Sequence, residues 1–394
     1  MKQLHFGHVL GGAFLVGGTS IGAGMLALPV VSSLGGFFPS LLIYIISLIV
    51  MSYTALLYAE ISINMPKDSN LISMSEKYLG KFGKIFCWFV YLFLFYCLSV
   101  AYLSGGGKIV QGFFEFLPIN FTIVLFLIFL ASFIYFGAKA VDRLNILLVI
   151  GLIVSYFLFI YFGAKDLNFK NFYFFDIKHS FISFPIILLS FGFQGIMPSL
   201  TYYMNKDYKK IRLAILLGTF MAFFVYLIFE LLILGIVPIE GPFGLKDAFN
   251  KGYNAIIPLK HFTKVNILYY IGQFFSFFAI TTSYLGVNLG FFDFIADGLK
   301  LPKKGFKKLL IALLTFIPPL IISLINPNLF LKALNYAGGF GGVLLLILLP
   351  ALMVWSSRYF KNEINSVKVV GGKPVLLLIM LFSLFIISIG FINF

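Results

Sequence analysis

The sequence predicts an all-helical integral membrane protein with about eleven transmembrane helices. Three observations carry that prediction. Hydrophobic residues make up 61% of the 394 residues and charged ones only 11%, against roughly 25% charged in a soluble domain, and the mean hydropathy is +1.03. Many apolar runs reach the roughly 20 residues that cross a 30 Å hydrocarbon core as helix, whereas the alternating pattern of a barrel strand occurs nowhere. Finally, the lysines and arginines sit in short segments between the apolar runs. The net charge of +15 therefore reads as the positive-inside pattern of a membrane protein and not as a nucleic-acid surface.

Length, apolarity and helix breakers place the spans near 8–34, 37–64, 84–114, 119–137, 144–163, 180–203, 211–237, 265–296, 308–325, 329–356 and 374–394. With the N-terminus cytoplasmic, the inner segments hold 20 of the 29 basic residues and the outer segments 9. That asymmetry favours this orientation, and an odd number of spans then leaves the C-terminus outside. The first span is not read as an export signal, because its apolar stretch continues past Pro29 and ten further spans need no separate signal. The longest outer loop, 238–264, carries Pro238, Pro242 and Pro258 around a short helix expected at 245–251, which would suit an extracellular lid. Cys87 and Cys97 lie ten positions apart in one span, so they are expected to be free thiols, neither a disulfide framework nor a metal site.

Span 1 contains Gly17-Gly18-Thr19-Ser20-Ile21-Gly22-Ala23-Gly24-Met25-Leu26-Ala27-Leu28-Pro29, with four glycines at the expected middle of the membrane. Each Gly costs roughly 0.8 to 1 kcal/mol against Ala in a helix, and unwound backbone at that depth is tolerated only where it lines a polar cavity or is buried in protein. Span 6 has a comparable interruption at Ser190-Phe191-Gly192-Phe193-Gln194-Gly195, followed by Pro198. Interrupted helices at matching positions of two halves mark a binding site in an inverted five-plus-five repeat. The repeats would cover about 8–163 and 180–356, with an extra helix at 374–394, in one transporter domain over 1–394. A packing role stands beside this reading, since Gly18 and Gly22 also form a small-xxx-small face. In a broken span, a half-helix starting near Ala23 offers N–H groups and a positive dipole end to a carboxylate. Carbonyls freed at Gly18, Thr19, Ser190 and Phe191 would suit an ammonium or a metal cation. A zwitterionic α-amino acid meets both requirements.

The stretch Gly18 to Pro29 resembles the first-helix motif of the hydroxy and aromatic amino acid permease family, which includes bacterial tyrosine and tryptophan permeases. The likeness continues through Tyr53-Thr54-Ala55-Leu56-Leu57, Ala101-Tyr102-Leu103-Ser104-Gly105, Phe191-Gly192-Phe193, Pro198-Ser199, Ser283-Tyr284-Leu285-Gly286-Val287, Phe292-Asp293 and Gly371-Gly372-Lys373-Pro374. Within the family it is most similar to the tyrosine-specific permeases. The resemblance implies eleven spans, an inside N-terminus, the leucine-transporter-type fold, and uptake across a bacterial cytoplasmic membrane driven by the proton-motive force. Two positions depart from the family pattern: Gln194 stands where a His is common, and Leu152 where some proton-coupled relatives carry a Lys in helix 5.

Those departures reopen the identity of the coupling ion. Thr281, Thr282 and Ser283 in span 8 resemble the hydroxyl ligands of sodium-coupled members of this fold, and oxygen ligands suit a hard cation; hydroxyls bonding to their own helix are the alternative. Glu230 in span 7 is the acidic candidate for a proton, since an intramembrane carboxyl is a functional hypothesis by default; reaching water at the outer interface is the alternative. Glu60, Lys108, Asp293 and Asp297 are expected to be interfacial or structural, and His5, His8, His179 and His261 to lie at ends or in loops. The substrate pocket is expected to combine the backbone of Gly18, Thr19, Ser20, Gly22, Ala23, Gly24, Ser190, Gly192 and Gly195 with the side chains of Met25, Cys97, Tyr102, Phe191, Phe193, Gln194 and Phe277. The aromatic rings would stack on a substrate ring, and Gln194 would meet a phenolic hydroxyl or an indole N–H. Asn335 to Gly339 in span 10 is a candidate outer gate.

The expected function is therefore import of an aromatic amino acid, tyrosine first, by proton symport, with sodium-coupled or exchange-type neutral amino acid transport as the alternative. The expected partners are the amino acid substrate and the lipid bilayer, with no nucleic acid and no cofactor beyond the coupling ion, proton or sodium. An ion channel, the competitor from another class, ordinarily needs rings of like groups from symmetric subunits. An enzyme is not expected, because HExxH, a nucleophile elbow and paired intramembrane carboxylates are all missing from the sequence.

Overall fold

In a computed structural model the protein is helical throughout the described residues, 6–67, 69–263, 266–361 and 367–392. Among the described residues, ten helices are long and apolar enough to cross a membrane, or eleven with a bent pair at the start of the chain taken as one span. The predicted all-helical class, with about eleven spans and a break in the first, is observed. His5 and the predicted helix limits at 265 and 394 fall outside the described residues.

The first span consists of α1 (Phe6–Ser20) and α2 (Ala23–Ser32), bent by 45° at the gap between them. Then come α3 (Phe37–Ile63), α4 (Leu71–Phe113), α5 (Ile119–Phe136) and α6 (Ala138–Gly163). The sixth span, Ile177–Tyr203, contains α7 (Phe184–Ser190) and α8 (Met197–Tyr203) on either side of its own break. Beyond it lie α9 (Tyr208–Ile236), the short loop helices α10 (Leu245–Asn250) and α11 (Leu259–Phe262), α12 (Asn266–Gly298), α13 (Gly305–Ile325), α14 (Phe330–Phe360) and α15 (Gly372–Ile392).

Local chemistry sets the ends. Asn70 and Ser73 form a reciprocal capping box that starts α4 at Leu71, thirteen residues before the predicted start at 84. By apolarity this stretch is expected as an inner segment between spans, but it is a helical arm that turns at Gly80, where φ is +75° and only glycine sits without strain. The helix of span 5 also begins earlier than the predicted 144, at Ala138. Asp207 starts α9 by accepting from the N–H groups of Lys209 and Lys210. Pro198 stands in the first turn of α8, and Pro29 opens the α-helical part of α2 at Leu28, after the 3-10 turns of 23–27. There the missing N–H costs nothing, so each proline begins a helix after the break instead of causing it.

Burial separates a core from a lipid-facing shell. In the most apolar stretch of each span, 78% of residues are buried in α14, 67% in the sixth span, and 61% in both α3 and α9, against 22% in the fifth span. The sixth span and α2 thus lie inside, whereas α1 exposes Phe14 and Leu15, and the helices around them are apolar on every side, as expected of lipid-exposed elements. Within α14, residues 337–348 follow π-helical hydrogen bonding. The glycines of that stretch let α7 and α15 approach its backbone, with Gly339 close to Gly390. On the face away from the N-terminus, the loop carrying α10 and α11 folds over α2. The Ala255 N–H donates to Leu26 O at 2.9 Å, and Leu245, Ala255, Ile256 and Leu259 are at most 1% exposed. The short helix expected at 245–251 is present.

Candidate functional site

The chain leaves helical geometry at the two places where glycines interrupt the apolar pattern. After Ser20 the backbone extends through Gly22 (φ −164°, ψ −154°) before winding again at Ala23. After Ser190 it passes through Phe191 to Phe193 before a single turn at Gln194–Ile196 leads into α8. The two spans run antiparallel, so α1 and α8 share the N-terminal face, where the His8 ring stacks on Tyr203 at 4.3 Å. On the opposite face α2 and α7 pack together.

Three side chains fix the breaks. The Tyr226 hydroxyl in α9 lies 2.7 Å from Ser20 O and 2.6 Å from Ser190 O, joining the last carbonyls of α1 and α7 through one oxygen. Ser283 in α12 accepts a hydrogen bond from the Ala23 N–H at 2.8 Å, satisfying one of the orphan donors at the start of α2. The Gln194 side chain turns back on its own break: its Oε1 accepts from the Phe193 N–H at 3.0 Å, and its Nε2 donates to Met51 O and Thr54 Oγ1, each at 3.2 Å.

Between these ties lies a cavity of about 210 Å³. This is below the roughly 300 to 1,000 Å³ of pockets that enclose drug-sized ligands, a size for a small molecule. Backbone from both breaks forms one side, and Tyr91, Leu94, Leu98, Tyr102, Phe193 and Leu334 are among the side chains of the rest. The two ends differ in access. Towards the N-terminal face, Thr19 and Gly195 at the wall and Gly18 beside them are exposed. Towards the other face, Ala23 and residues 25–28 are at most 1% exposed, beneath the loop bound to Leu26 O. The cavity therefore opens on the N-terminal side alone.

Of the residues expected at the pocket, Thr19, Ser20, Gly22, Ala23, Gly24, Tyr102, Ser190, Gly192, Phe193, Gln194 and Gly195 line this cavity, and five do not. Gly18 stands at its margin. Met25 is 1% exposed within the packed turn of α2. Cys97 is half-buried elsewhere on α4, because Leu94, Leu98 and Tyr102 recur every fourth residue and hold the facing stripe. Phe191 packs edge-on against Tyr44 and Tyr226, and Phe277 lies against Phe113 and Phe278 on another face of α12. Two chemical expectations change as well. The Gln194 amide is committed to Met51, Thr54 and Phe193, so it is not a free reader of a substrate hydroxyl. The Ala23 N–H and the Ser190 carbonyl already have partners, in Ser283 and Tyr226.

Among the coupling-ion candidates, Ser283 reaches the cavity while Thr282 bonds back to Phe278 O and Ala279 O, and the buried Thr281 hydroxyl has no hydrogen-bond partner. Glu230 is 1% exposed and does not reach water. Tyr44 donates to its Oε2 at 3.0 Å, and it stands one helical turn beyond Tyr226 on the same face of α9. Glu60 is fully buried against Arg358, a structural pairing. Tyr226, Tyr91 and Tyr44 were missed from sequence, since an isolated tyrosine in an apolar span carries no positional signal. Glu230, four residues after Tyr226, was the available pointer.

Two broken helices facing one small cavity suit a carrier, and comparison with known proteins agrees. The profile of the tryptophan/tyrosine permease family matches residues 6–390. The chain belongs to the tryptophan/tyrosine permease family. Over 97% of its length it is 31% identical to the tyrosine-specific transport system 2 of Haemophilus influenzae, of which it covers 96%. A tryptophan-specific transport protein of the same organism is 31% identical, with 95% of this chain and 94% of the relative covered. A tryptophan-specific transport protein of Shigella flexneri is 32% identical, with 95% and 92% covered. Membership of this permease family makes the protein a multi-pass membrane transporter and not an enzyme.

Proposed function

We propose that the protein imports an aromatic amino acid, tyrosine first, across a bacterial cytoplasmic membrane by proton symport, through alternating access about the two breaks. The observation that carries this reading is the convergence of two interrupted spans on one small cavity with backbone on one side and apolar side chains on the other. The relatives named for tyrosine and for tryptophan transport support an aromatic substrate.

In this scheme the substrate ammonium competes with the Tyr226 hydroxyl for Ser20 O and Ser190 O. The carboxylate meets the opening turns of the helical segments after each break, where backbone N–H groups lack intrahelical partners. The ring lies among Leu94, Leu98, Phe193 and Leu334, within reach of the phenol groups of Tyr91 and Tyr102 in the same wall. Inverted-repeat architecture supplies the motion, with the bundle containing the breaks rocking against the remaining helices. With the N-terminus cytoplasmic, the side favoured by the basic residues, the cavity is open inward and the loop over α2 closes it outward.

Glu230 is the proton carrier in this proposal. Its carboxyl is buried and bonded to Tyr44, which packs on Phe191 of the second break, so a change in its charge would be felt where the substrate sits. The test is uptake into proteoliposomes under a pH gradient or a sodium gradient alone. The expected result is concentrative tyrosine uptake with the pH gradient only, lost in Glu230→Gln while counterflow exchange persists. Accumulation under sodium alone would replace the proton by sodium, and wild-type pH-driven accumulation in the variant would remove Glu230 from the mechanism.

A further inference from the structure

A second cavity, of about 470 Å³, lies at the end of the molecule away from the N-terminus, between the last turns of α4, the loop around α11 and the first turns of α12. Six residues of α4, about 9 Å of helix rise, separate its central residue, Lys108, from Tyr102 in the first cavity. Lys108 was expected at an interface. Its Nζ is instead shut off from solvent and has no hydrogen-bond partner among the described residues, resting 4.2 Å from the centroid of the Tyr253 ring. A ring face is a partial substitute for a counter-ion, and a desolvated ammonium without an anion is costly.

The other charges around the cavity do not relieve it. Glu115 is the carboxylate in the wall, and it is bonded to Lys260, whose ammonium is held above its usual range by that bond. Glu115 is thus committed to Lys260, and the Lys108 amine faces no carboxylate of its own among the described residues. Gln111 and Gln273 add amide groups to the same wall. A concave polar site with one unpartnered amine on a flexible four-carbon stem, which a bound anion would hold as ammonium, suits a small carboxylate, and Ile257 and Tyr269 supply apolar surface beside it.

We propose that this cavity is a second ligand site, which takes the carboxylate of a small organic molecule onto Lys108. Its occupancy by the transported amino acid rests on the function proposed above, whereas the carboxylate chemistry does not. Occupancy would supply the anion that Lys108 lacks.

The experiment places a cysteine in the wall, Ile257→Cys, and follows its reaction with a small neutral thiol reagent added to the full-length protein in nanodiscs. The expected result is that benzoate and tyrosine slow labelling severalfold, that benzamide does not, and that protection disappears in the Lys108→Met background. Tyrosine protecting at lower concentration than benzoate and acetate would identify the amino acid as the ligand. Equal potency would identify a general carboxylate site, and both outcomes support the proposal. No protection by any carboxylate, equal protection by benzamide, or protection that survives Lys108→Met would overturn it. Elution of the Lys108→Met protein as a single species on size exclusion guards against misfolding. A chain that moves no aromatic amino acid but shows Lys108-dependent protection by benzoate would lose the proposed transport function and keep this site.

Discussion

Gln194 shows why a residue type read from sequence identifies a place more readily than a role. Its amide is fully buried and holds the Phe193 N–H from inside the break, so Gln194→Leu leaves a buried donor unpaired, a loss of about 1 to 3 kcal/mol. The expected outcome is a lower melting temperature and an equal fall in tyrosine and phenylalanine uptake; a fall for tyrosine alone would restore the hydroxyl-reading role. In the proposed scheme that role passes to the phenols of the cavity wall, Tyr91 first, and Tyr91→Phe should raise the KM for tyrosine severalfold relative to that for phenylalanine, measured by competition in one uptake assay. Break residues were legible because four glycines in a short apolar stretch defy helix propensity. The wall was not, because Leu94, Leu98 and Leu334 are chemically the same as leucines facing lipid, and only packing distinguishes them.

The helices themselves were legible to within a few residues wherever apolarity alone decided them, as at α5 and α13. They were misjudged where a charged stretch is helical, as in residues 71–83, whose start is set by the Asn70 cap and not by hydrophobicity. Packing between the two breaks was beyond sequence reach altogether. A Cβ placed on Gly24 would stand 2.8 Å from Ser190 Oγ, and that hydroxyl is bonded to Ile186 O, so the second segment of span 1 rests directly on the end of α7. Gly24→Ala should therefore abolish most uptake by forcing the segments apart, and adding Ser190→Ala, which vacates the contested space, should recover a substantial part of it. Failure of the double variant to recover any uptake, with both proteins stable in detergent, would show that Gly24 is needed for something other than this contact.

Across the whole molecule, the N-terminal face is fastened by a buried ion pair. Arg358 of α14 bonds both carboxylate oxygens of Glu60 in α3. Glu60 accepts the Val369 N–H at 2.8 Å, and Arg358 donates to Val369 O at 2.9 Å, which ties in the segment leading to α15. Arg358→Met strands a carboxylate that is fully buried, and breaking such a pair costs about 3 to 5 kcal/mol. Melting in detergent should fall steeply for that variant and much less for Glu60→Met combined with Arg358→Met. The number and order of spans were readable from hydropathy, but this clasp joins residues 298 positions apart, a separation across which a single sequence carries no pairing signal.

One-sided access to the central cavity also bears on how a cell holding this carrier would set its own supply. In the proposed orientation, a molecule at rest with its chamber facing the interior meets delivered cargo before it meets new cargo, so a well-stocked cytoplasm would keep occupying it and delay its return. Intake would then slow as the internal pool filled, with no separate sensing domain. Vesicles preloaded with unlabelled tyrosine, with no outward gradient of the driving ion, should turn over more slowly than empty ones in net uptake; an unchanged initial rate would mean that the return step is not held back by cargo from within.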